Sequence, residues 1–351
     1  MFFRSRGEVL LSFGESFGLT EQDTLGSKLY SNYASMTLVG RNKLIKAQIL
    51  RFSMNTLKMH HSNMRKYSRY ISGDILPIDT GTLHSFLLEE AENGRSFISI
   101  ESCLNSLRFI SNFLGYEIIE NAALKNLLLF LKKLCPKKSI PKRIGFQKKH
   151  ILDLKDSIRE IGGNEKLSVL QRRSYALLVF CYCSLARFDC ARYIKLNNLK
   201  FNADYIEVLV ERSKTDQAGE GQTMYMLNLP GFNAVKLLAN YVFLMDLEGD
   251  DYLFPSLKWN KIEKIWCPDA RKSISYSAAY SGQKALLKKF GFDESCFSLH
   301  SARIGGTTDS FEAGMPPHLI DKRGRWKVPS TKNLYAKPSV DALVKSIKKY
   351  M

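Results

Sequence analysis

Two side chains suited to phosphate chemistry stand three residues apart in Ser298-Leu-His-Ser-Ala-Arg303. On a helix that spacing puts His300 and Arg303 on one face, with Ser298 placed to cap the helix N-terminus. A guanidinium is a planar fork for two phosphate oxygens, and an adjacent imidazole can donate a hydrogen bond or move a proton. A His-x-x-Arg pair occurs in many helices by chance, and without support His300 would be a satisfied core histidine. Its neighbours add weight. Downstream, Gly324-Arg-Trp-Lys-Val-Pro-Ser-Thr-Lys-Asn-Leu-Tyr335 carries Trp326 and Tyr335 on a basic, polar segment. Upstream, Arg187 ends the apolar run from Tyr175 to Ala186, where an unpaired buried guanidinium would be costly. It is expected to face a cleft and an anion, with Arg192 as the structural alternative. Lys214 stands where a strand meets its loop. An indole donates a hydrogen bond but cannot shuttle a proton, so Trp326 serves a phosphate oxygen, the core, or both.

The elements that must hold these residues are mostly helical. Tyr205-Ile-Glu-Val-Leu-Val-Glu211 is rich in β-branched residues and can pair with Gln222-Thr-Met-Tyr-Met-Leu227. Between them, Ser213 to Gly221 has a turn composition, which predicts a β-hairpin set among helices. Earlier in the chain, apolar residues recur at helical spacing: Leu50, Met54 and Leu57; Leu104, Leu107, Phe109, Ile110 and Phe113; Leu124, Leu127, Leu128 and Leu131. Pro136 and Pro141 bracket a lysine-rich stretch that reads as an extended connector. The expected division is an N-terminal arm over 1–40, a helical domain over 41–135, a basic linker over 136–146, a second domain over 147–338 and a C-terminal helix over 339–351. The expected fold class is mainly α with a small β-hairpin or sheet, α+β. Val340, Leu343, Val344 and Ile347 form a narrow apolar stripe on that last helix.

Charge narrows the partners. The chain has 351 residues, with 52 Lys plus Arg against 34 Asp plus Glu, a formal net charge of +18. Such a balance is usually matched by a polyanion, most often nucleic acid. Basic residues also segregate: Thr24–Gly73, Asn121–Leu152 and the stretch between Asp321 and Asp341 contain no acid. Three such stretches fit a surface that tracks phosphates. Hydrophobic residues make up 45%, enough for a sizeable core, which excludes wholesale disorder. No stretch is long and apolar enough to span a bilayer, and no secretory signal is expected. Seven scattered cysteines without a Cys-x-x-Cys pair argue against a disulfide framework or a zinc site and point to a reducing intracellular compartment, cytoplasm or nucleus according to host.

Taken in order, Arg187, Lys214, His300, Arg303, Trp326 and Tyr335 resemble the catalytic series of the tyrosine recombinases, the superfamily of phage integrases and Xer- and Cre-like enzymes. Trp326 lies 26 residues after His300 and Tyr335 nine after Trp326, both typical of that family. Arg212-Ser-Lys-Thr-Asp-Gln-Ala-Gly and Gly-Arg-Trp-Lys look more like the DIRS- and Crypton-type mobile-element branch. The resemblance implies a helical core-binding domain and a tyrosine-recombinase catalytic domain closing on double-stranded DNA. It implies strand cleavage and rejoining through a 3′-phosphotyrosyl link on Tyr335, with no metal or other cofactor. Arg187 and Arg303 would hold the non-bridging oxygens, with His300 and Trp326 as further donors. His300 would take the tyrosine proton, or the arginines would lower its pKa directly, and Lys214 would protonate the leaving 5′ oxygen. Lys58, Arg65, Lys66, Lys142 and Arg143 are expected along the DNA. The C-terminal stripe would pack on a neighbouring protomer within a tetramer, or fold back on its own domain. One position departs: the family's carboxylate three residues after the first Arg is Cys190 here, with Asp189 one residue off. A type IB topoisomerase and a degenerate, purely DNA-binding recombinase are the rival readings.

Overall fold

Short polar side chains set where the helices of the first half begin. The computed structural model describes residues 9–25, 27–116, 120–135, 143–211 and 221–326, and the chain divides into two units, Met1–Ser139 and Ile140–Met351. The described helices of the first unit are α1 (Val9–Phe17), α2 (Glu21–Leu25), α3 (Lys28–Asn32), α4 (Leu38–Leu50), α5 (Met54–Tyr70), α6 (Thr80–Glu92), α7 (Phe97–Leu114) and α8 (Ala122–Leu134). Ser27, Thr37, Ser53, Asp79 and Asn121 each accept a backbone N–H of the helix they precede, satisfying donors that the first turn leaves without an intrahelical partner.

Helix α5 buries Leu57, His60, Asn63, Met64 and Tyr67. A polar contact within that apolar face fixes its register on α7. His60 Nδ1 lies 2.9 Å from Ser106 Oγ, and its ring stacks on Phe109 at 4.0 Å. Asn63 Nδ2 donates to Ser106 Oγ at 2.9 Å and to the Ser102 carbonyl at 3.1 Å. Leu50 and Met54, expected in the core, are instead 56% and 47% exposed. The break at Arg51–Ser53 ends one helix and caps the next, so their helical spacing does not describe one continuous face.

The expected arm over 1–40 is not separate. Helix α4 runs through the 40/41 boundary, and Phe13, Phe17, Leu19 and Leu29 are buried in the same core as Leu57, Leu104 and Ile110. Asp23 explains part of this. Its buried carboxylate accepts the backbone N–H groups of Ile75 at 2.8 Å, Leu76 at 2.6 Å and Thr20 at 2.8 Å, tying the N-terminal helices to the loop before α6. Asp23→Ala leaves those buried donors unpaired and is expected to cost about 3 kcal/mol in urea unfolding. A loss under about 0.5 kcal/mol would show that the tie carries no stability.

The second unit contains α9 (Lys148–Glu160), α10 (Val169–Ser184), α11 (Phe188–Ala191), β1 (Leu199–Phe201), β2 (Tyr205–Val210), β3 (Gln222–Leu227), α12 (Ala234–Leu244), β4 (Pro255–Asn260), β5 (Ile265–Ser273), α13 (Tyr276–Lys289), α14 (Ser301–Glu312) and α15 (Pro317–Gly324) among the described residues. Every residue of α10 from Arg173 to Ser184 is buried, which makes it the central helix of this unit. Strands β1, β2 and β3 form an antiparallel sheet in that order. Tyr205 pairs with Leu227 and Val210 with Gln222, as the hairpin composition requires.

Two departures follow from packing. Residues 143–146, expected in the linker, belong to this unit: Ile144 N–H donates to Cys296 O and Phe146 N–H to Ser301 O, each at 3.0 Å, and Phe146 stacks on Phe297 at 4.1 Å. A second hairpin, β4–β5, stands where helix was expected. Trp259, Ile262 and Trp266 fall at i, i+3 and i+7, a helical period that coincides with strand–turn–strand geometry here. No helix among the described residues is long and apolar enough to cross a membrane.

Candidate active site

Arg187 is placed by a helix ending, not by a helix. Helix α10 stops at Ser184, Leu185 turns the chain with φ of 53°, and Arg187 becomes the extended residue before α11, half-buried. A second boundary differs from its expectation in the same way. Ser298 does not cap α14. Its N–H donates to Ser301 Oγ at 2.9 Å and its carbonyl accepts the Ser301 N–H at 2.9 Å, forming a turn that delays the helix to Ser301. His300 therefore occupies the cap position and Arg303 the first turn.

Arg303 is the junction of the site. It is fully buried, and its Nη1 donates to the carbonyl of Leu185 while Nη2 donates to that of Gly324 at 2.9 Å. Its guanidinium carbon lies 4.3 Å from the centre of a Trp326 ring, a cation–π contact. One side chain thus ties together the ends of α10 and α15 and the start of α14. Gly324 is required there, because a Cβ would run into the Trp326 ring. Arg325 then takes a left-handed φ of 55°, and the Trp326 N–H closes the turn on Asp321 O at 3.1 Å. Trp326 packs with Leu185 and Ile320, so the core role expected as an alternative is real, beside its contact with Arg303.

Burial holds the His300 imidazole well below its usual pKa of 6.5, down to about 4, with the nearby Arg303 and Arg187 charges adding to the effect. The ring is neutral at pH 7. Below pH 6.5 the unfolded chain takes up a proton that the folded ring refuses, so this residue's contribution to stability falls as pH drops from 6.5 towards 4. Allowing for solvent screening of a partly exposed ring, the loss is about 2 kcal/mol. His300→Gln is expected to flatten the acid limb of urea-measured stability by that amount. An acid limb identical to that of the unmodified protein would contradict the assignment.

A buried polar layer behind the site was not expected from sequence. Asp309 Oδ2 accepts the Tyr182 hydroxyl and the Lys148 N–H, the latter at 2.6 Å, and burial raises its carboxyl pKa. Arg323 donates to Cys183 O at 2.7 Å and Ser310 Oγ at 3.0 Å. The sequence signal that precedes it is Gly305-Gly306 inside α14: a Cβ on Gly305 would strike the Phe146 carbonyl, so glycine lets the chain before α9 lie directly on the helix.

Asp189 is exposed and Cys190 buried, so the position where the family's carboxylate is expected holds a buried thiol. Arg187 makes no ion pair among the described residues. Gln222 and Thr223, at the start of β3, line a cleft of about 340 Å³ with Asp321, Lys322, Arg325 and Trp326, which sets the return of the first hairpin beside the indole. Arg325 in this cleft was missed from sequence, although it directly precedes Trp326. Both its terminal nitrogens are shielded and make no hydrogen bond among the described residues. Lys214, Tyr335, Lys142 and the C-terminal stripe Val340–Ile347 lie outside the described residues. Of the expected DNA contacts, Lys58 and Arg65 are exposed on the face of α5 opposite its buried stripe, Lys66 is half-buried beside them, and Arg143 is exposed.

No family model matches the sequence, and no curated protein matches it. Solved structures do match. The XerH site-specific recombinase bound to its difH substrate in a pre-cleavage complex is 14% identical, with a TM-score of 0.58 over 98% of this chain and 98% of that one. The Tn1549 transposon integrase in complex with transposon right-end DNA is 16% identical, with a TM-score of 0.56 over 88% and 98%. A lambda integrase dimer bound to a core site is 14% identical, with a TM-score of 0.56 over 84% and 93%. At these identities the likeness is one of fold. The chain that gathers Arg187, His300, Arg303 and Trp326 at one helix junction has the tyrosine-recombinase fold, of α+β class.

Proposed function

We propose that this chain is a site-specific DNA recombinase or integrase that cleaves and rejoins strands through a phosphotyrosyl intermediate on Tyr335. The observation that carries the proposal is the Arg303 junction, which draws the Arg187 turn, His300 and Trp326 together at the start of α14. A phosphodiester resists nucleophiles because its anionic oxygens repel them. Arg187 and Arg303 supply fixed positive charge that complements the negative charge building on the oxygens of the five-coordinate transition state. The neutral His300 accepts the proton that the Tyr335 hydroxyl loses as its oxygen bonds to phosphorus. Lys214, which falls in sequence between β2 and β3, protonates the departing 5′ oxygen. The phosphotyrosyl bond conserves the energy of the broken linkage, so rejoining by the 5′-hydroxyl needs no nucleotide, and the two guanidinium groups do the work that a metal performs elsewhere.

The double-stranded DNA partner is supported by the +18 charge and the basic face of α5. The strings around Lys214 and Trp326 support a mobile-element origin, and the apolar stripe Val340, Leu343, Val344 and Ile347 supports assembly into a tetramer on synapsed sites. The test is to trap the intermediate on nicked duplexes of randomised sequence in EDTA, then map the DNA-linked peptide by proteolysis and mass spectrometry. A 3′-phosphate attached to the peptide containing Tyr335, with a free 5′-hydroxyl on the other strand end, is the expected result. A 5′ linkage, or an adduct that needs added magnesium, would sink the proposal. Relaxation of supercoiled plasmid by a monomer, without strand exchange, would favour a type IB topoisomerase instead.

A further inference from the structure

The second hairpin supplies no residue to the site above, and its shape is unusual. Its root is anchored. Arg173, buried in α10, donates to Pro255 O at 2.7 Å, the Tyr252 N–H donates to Ala270 O at 3.0 Å, and Leu257 and Ala270 pack on the core. Beyond the root the ribbon leaves the domain. Trp259 is 48% exposed, Ile262 93%, Ile265 49% and Trp266 41%. Trp259 and Trp266 are direct cross-strand partners, with their rings edge-to-face at 5.5 Å. They continue the face on which Leu257 packs at the root, because side chains two apart on a strand share a face.

The crest is stiff as well as apolar. Asn260 Oδ1 accepts the N–H of Ile262 at 3.0 Å and of Glu263 at 3.3 Å, its Nδ2 donates to Glu263 Oε2 at 3.0 Å, and Lys264 turns back with φ of 53°. Turn crests are normally built of small polar residues, and an isoleucine there forfeits burial. Isolated exposed hydrophobics are ordinary, whereas four large ones on one preordered ribbon form a contact surface. Charge selects the partner. Lys258, Lys261, Lys264, Arg271 and Lys272 are all exposed along the ribbon, against two acids, Glu263 and Asp269. An identical ribbon with the same excess of cations would be repelled, while a polyphosphate is attracted.

We propose that the β4–β5 hairpin is a separate contact to duplex DNA, made away from the reacting phosphate. A two-stranded ribbon fits the major groove. The lysines reach the phosphates on either side, and Trp259, Ile262 and Trp266 lie against deoxyribose and thymine methyl groups. The choice of DNA rests on the recombinase proposal, and the two are tested by separate readouts.

The chain has three tryptophans, two of them on this hairpin. Titration with a fluorescently labelled duplex gives occupancy by anisotropy, while acrylamide quenching of tryptophan emission reports whether the hairpin is covered. The expected result is that DNA saturation shields the emission, and that a Trp259→Phe/Trp266→Phe variant loses this shielding. Replacing Lys258, Lys261 and Lys264 by Gln is expected to weaken binding about 10-fold or more and lower the salt slope by up to about 2.7. Far-UV circular dichroism should be unchanged, since every altered side chain is exposed. Saturation with duplex that leaves quenching unchanged overturns the proposal, as does a triple lysine variant with the original affinity and slope. Hairpin variants that change only the sedimentation mass would make the ribbon a contact between chains, which also overturns it. Shielded tryptophans without any covalent adduct would remove the recombinase proposal and leave the hairpin contact standing; an adduct without shielding would do the reverse.

Discussion

Tyr335→Phe is expected to bind DNA with unchanged affinity and to form no covalent adduct, while Tyr350→Phe, at the last tyrosine of the sequence, forms it in full. Phenylalanine keeps the ring and removes the one atom that would bond to phosphorus. Nothing else in the proposed site replaces it: Arg187 and Arg303 carry no nucleophilic pair, the Trp326 nitrogen donates only, and Lys214 must stay protonated to serve the leaving group. A phenol with a pKa of about 10 attacks only as its proton is removed, so charge neutralisation at the arginines and transfer to His300 matter as much as the hydroxyl. The loss should exceed about 10⁴-fold, beyond the range of a denaturing-gel assay. An adduct that survives would move the nucleophile to another of the 16 tyrosines and undo the site as assigned. Within the same assay, Lys214→Ala should slow cleavage about 10²–10⁴-fold. A bridging 5′ sulfur, which leaves without needing a proton, should restore most of that rate. A defect equal on oxygen and sulfur substrates would remove Lys214 as the acid.

Arg303→Ala is expected to lose both fold stability and cleavage. The substitution leaves the Leu185 and Gly324 carbonyls without their donor, empties the volume beneath Trp326 and releases the ends of α10 and α15 from each other. Breaking a buried, hydrogen-bonded charged group costs about 3–5 kcal/mol, read by urea unfolding. Arg303→Lys separates the two functions. One ammonium keeps the charge but cannot reach two carbonyls in the geometry of the planar fork, so part of the stability and about 10²–10³-fold of the cleavage rate should go. A neutral methylphosphonate at the reacting position distinguishes charge stabilisation from misfolding. It removes the oxygen charge that the guanidinium balances, so a variant lacking that charge should close its deficit on this substrate. A deficit that persists unchanged would make Arg303 purely structural.

The local chemistry of the chain was legible from residue types. β-Branched alternation from Tyr205 and the glycine-containing turn that follows identify the first hairpin, whose strands pair as composition requires. Helical periodicity found the buried faces around Leu104 and Leu131, and the spacing of His300, Arg303 and Trp326 found residues that the fold brings together. These features depend on contacts near in sequence or on a period fixed by backbone geometry. Trp259, Ile262 and Trp266 stand at a spacing that fits a helix as well as a ribbon, and the cross-strand partner, not the spacing, selects the ribbon.

Tertiary structure decided the rest. Ser301, by accepting the Ser298 N–H, starts α14 three residues after the sequence-expected cap; Leu185 moves Arg187 off the helix and onto a turn; and Asp23 draws the N-terminal helices into the first core. Each outcome is set by a buried polar group finding a partner distant in the chain or a backbone turn that only packing stabilises. Arg303 shows the division most plainly. Its type and position announce a guanidinium near a phosphate, but that it is also the post joining α10 to α15 depends on two carbonyls, 118 and 21 residues away, which no local pattern could specify.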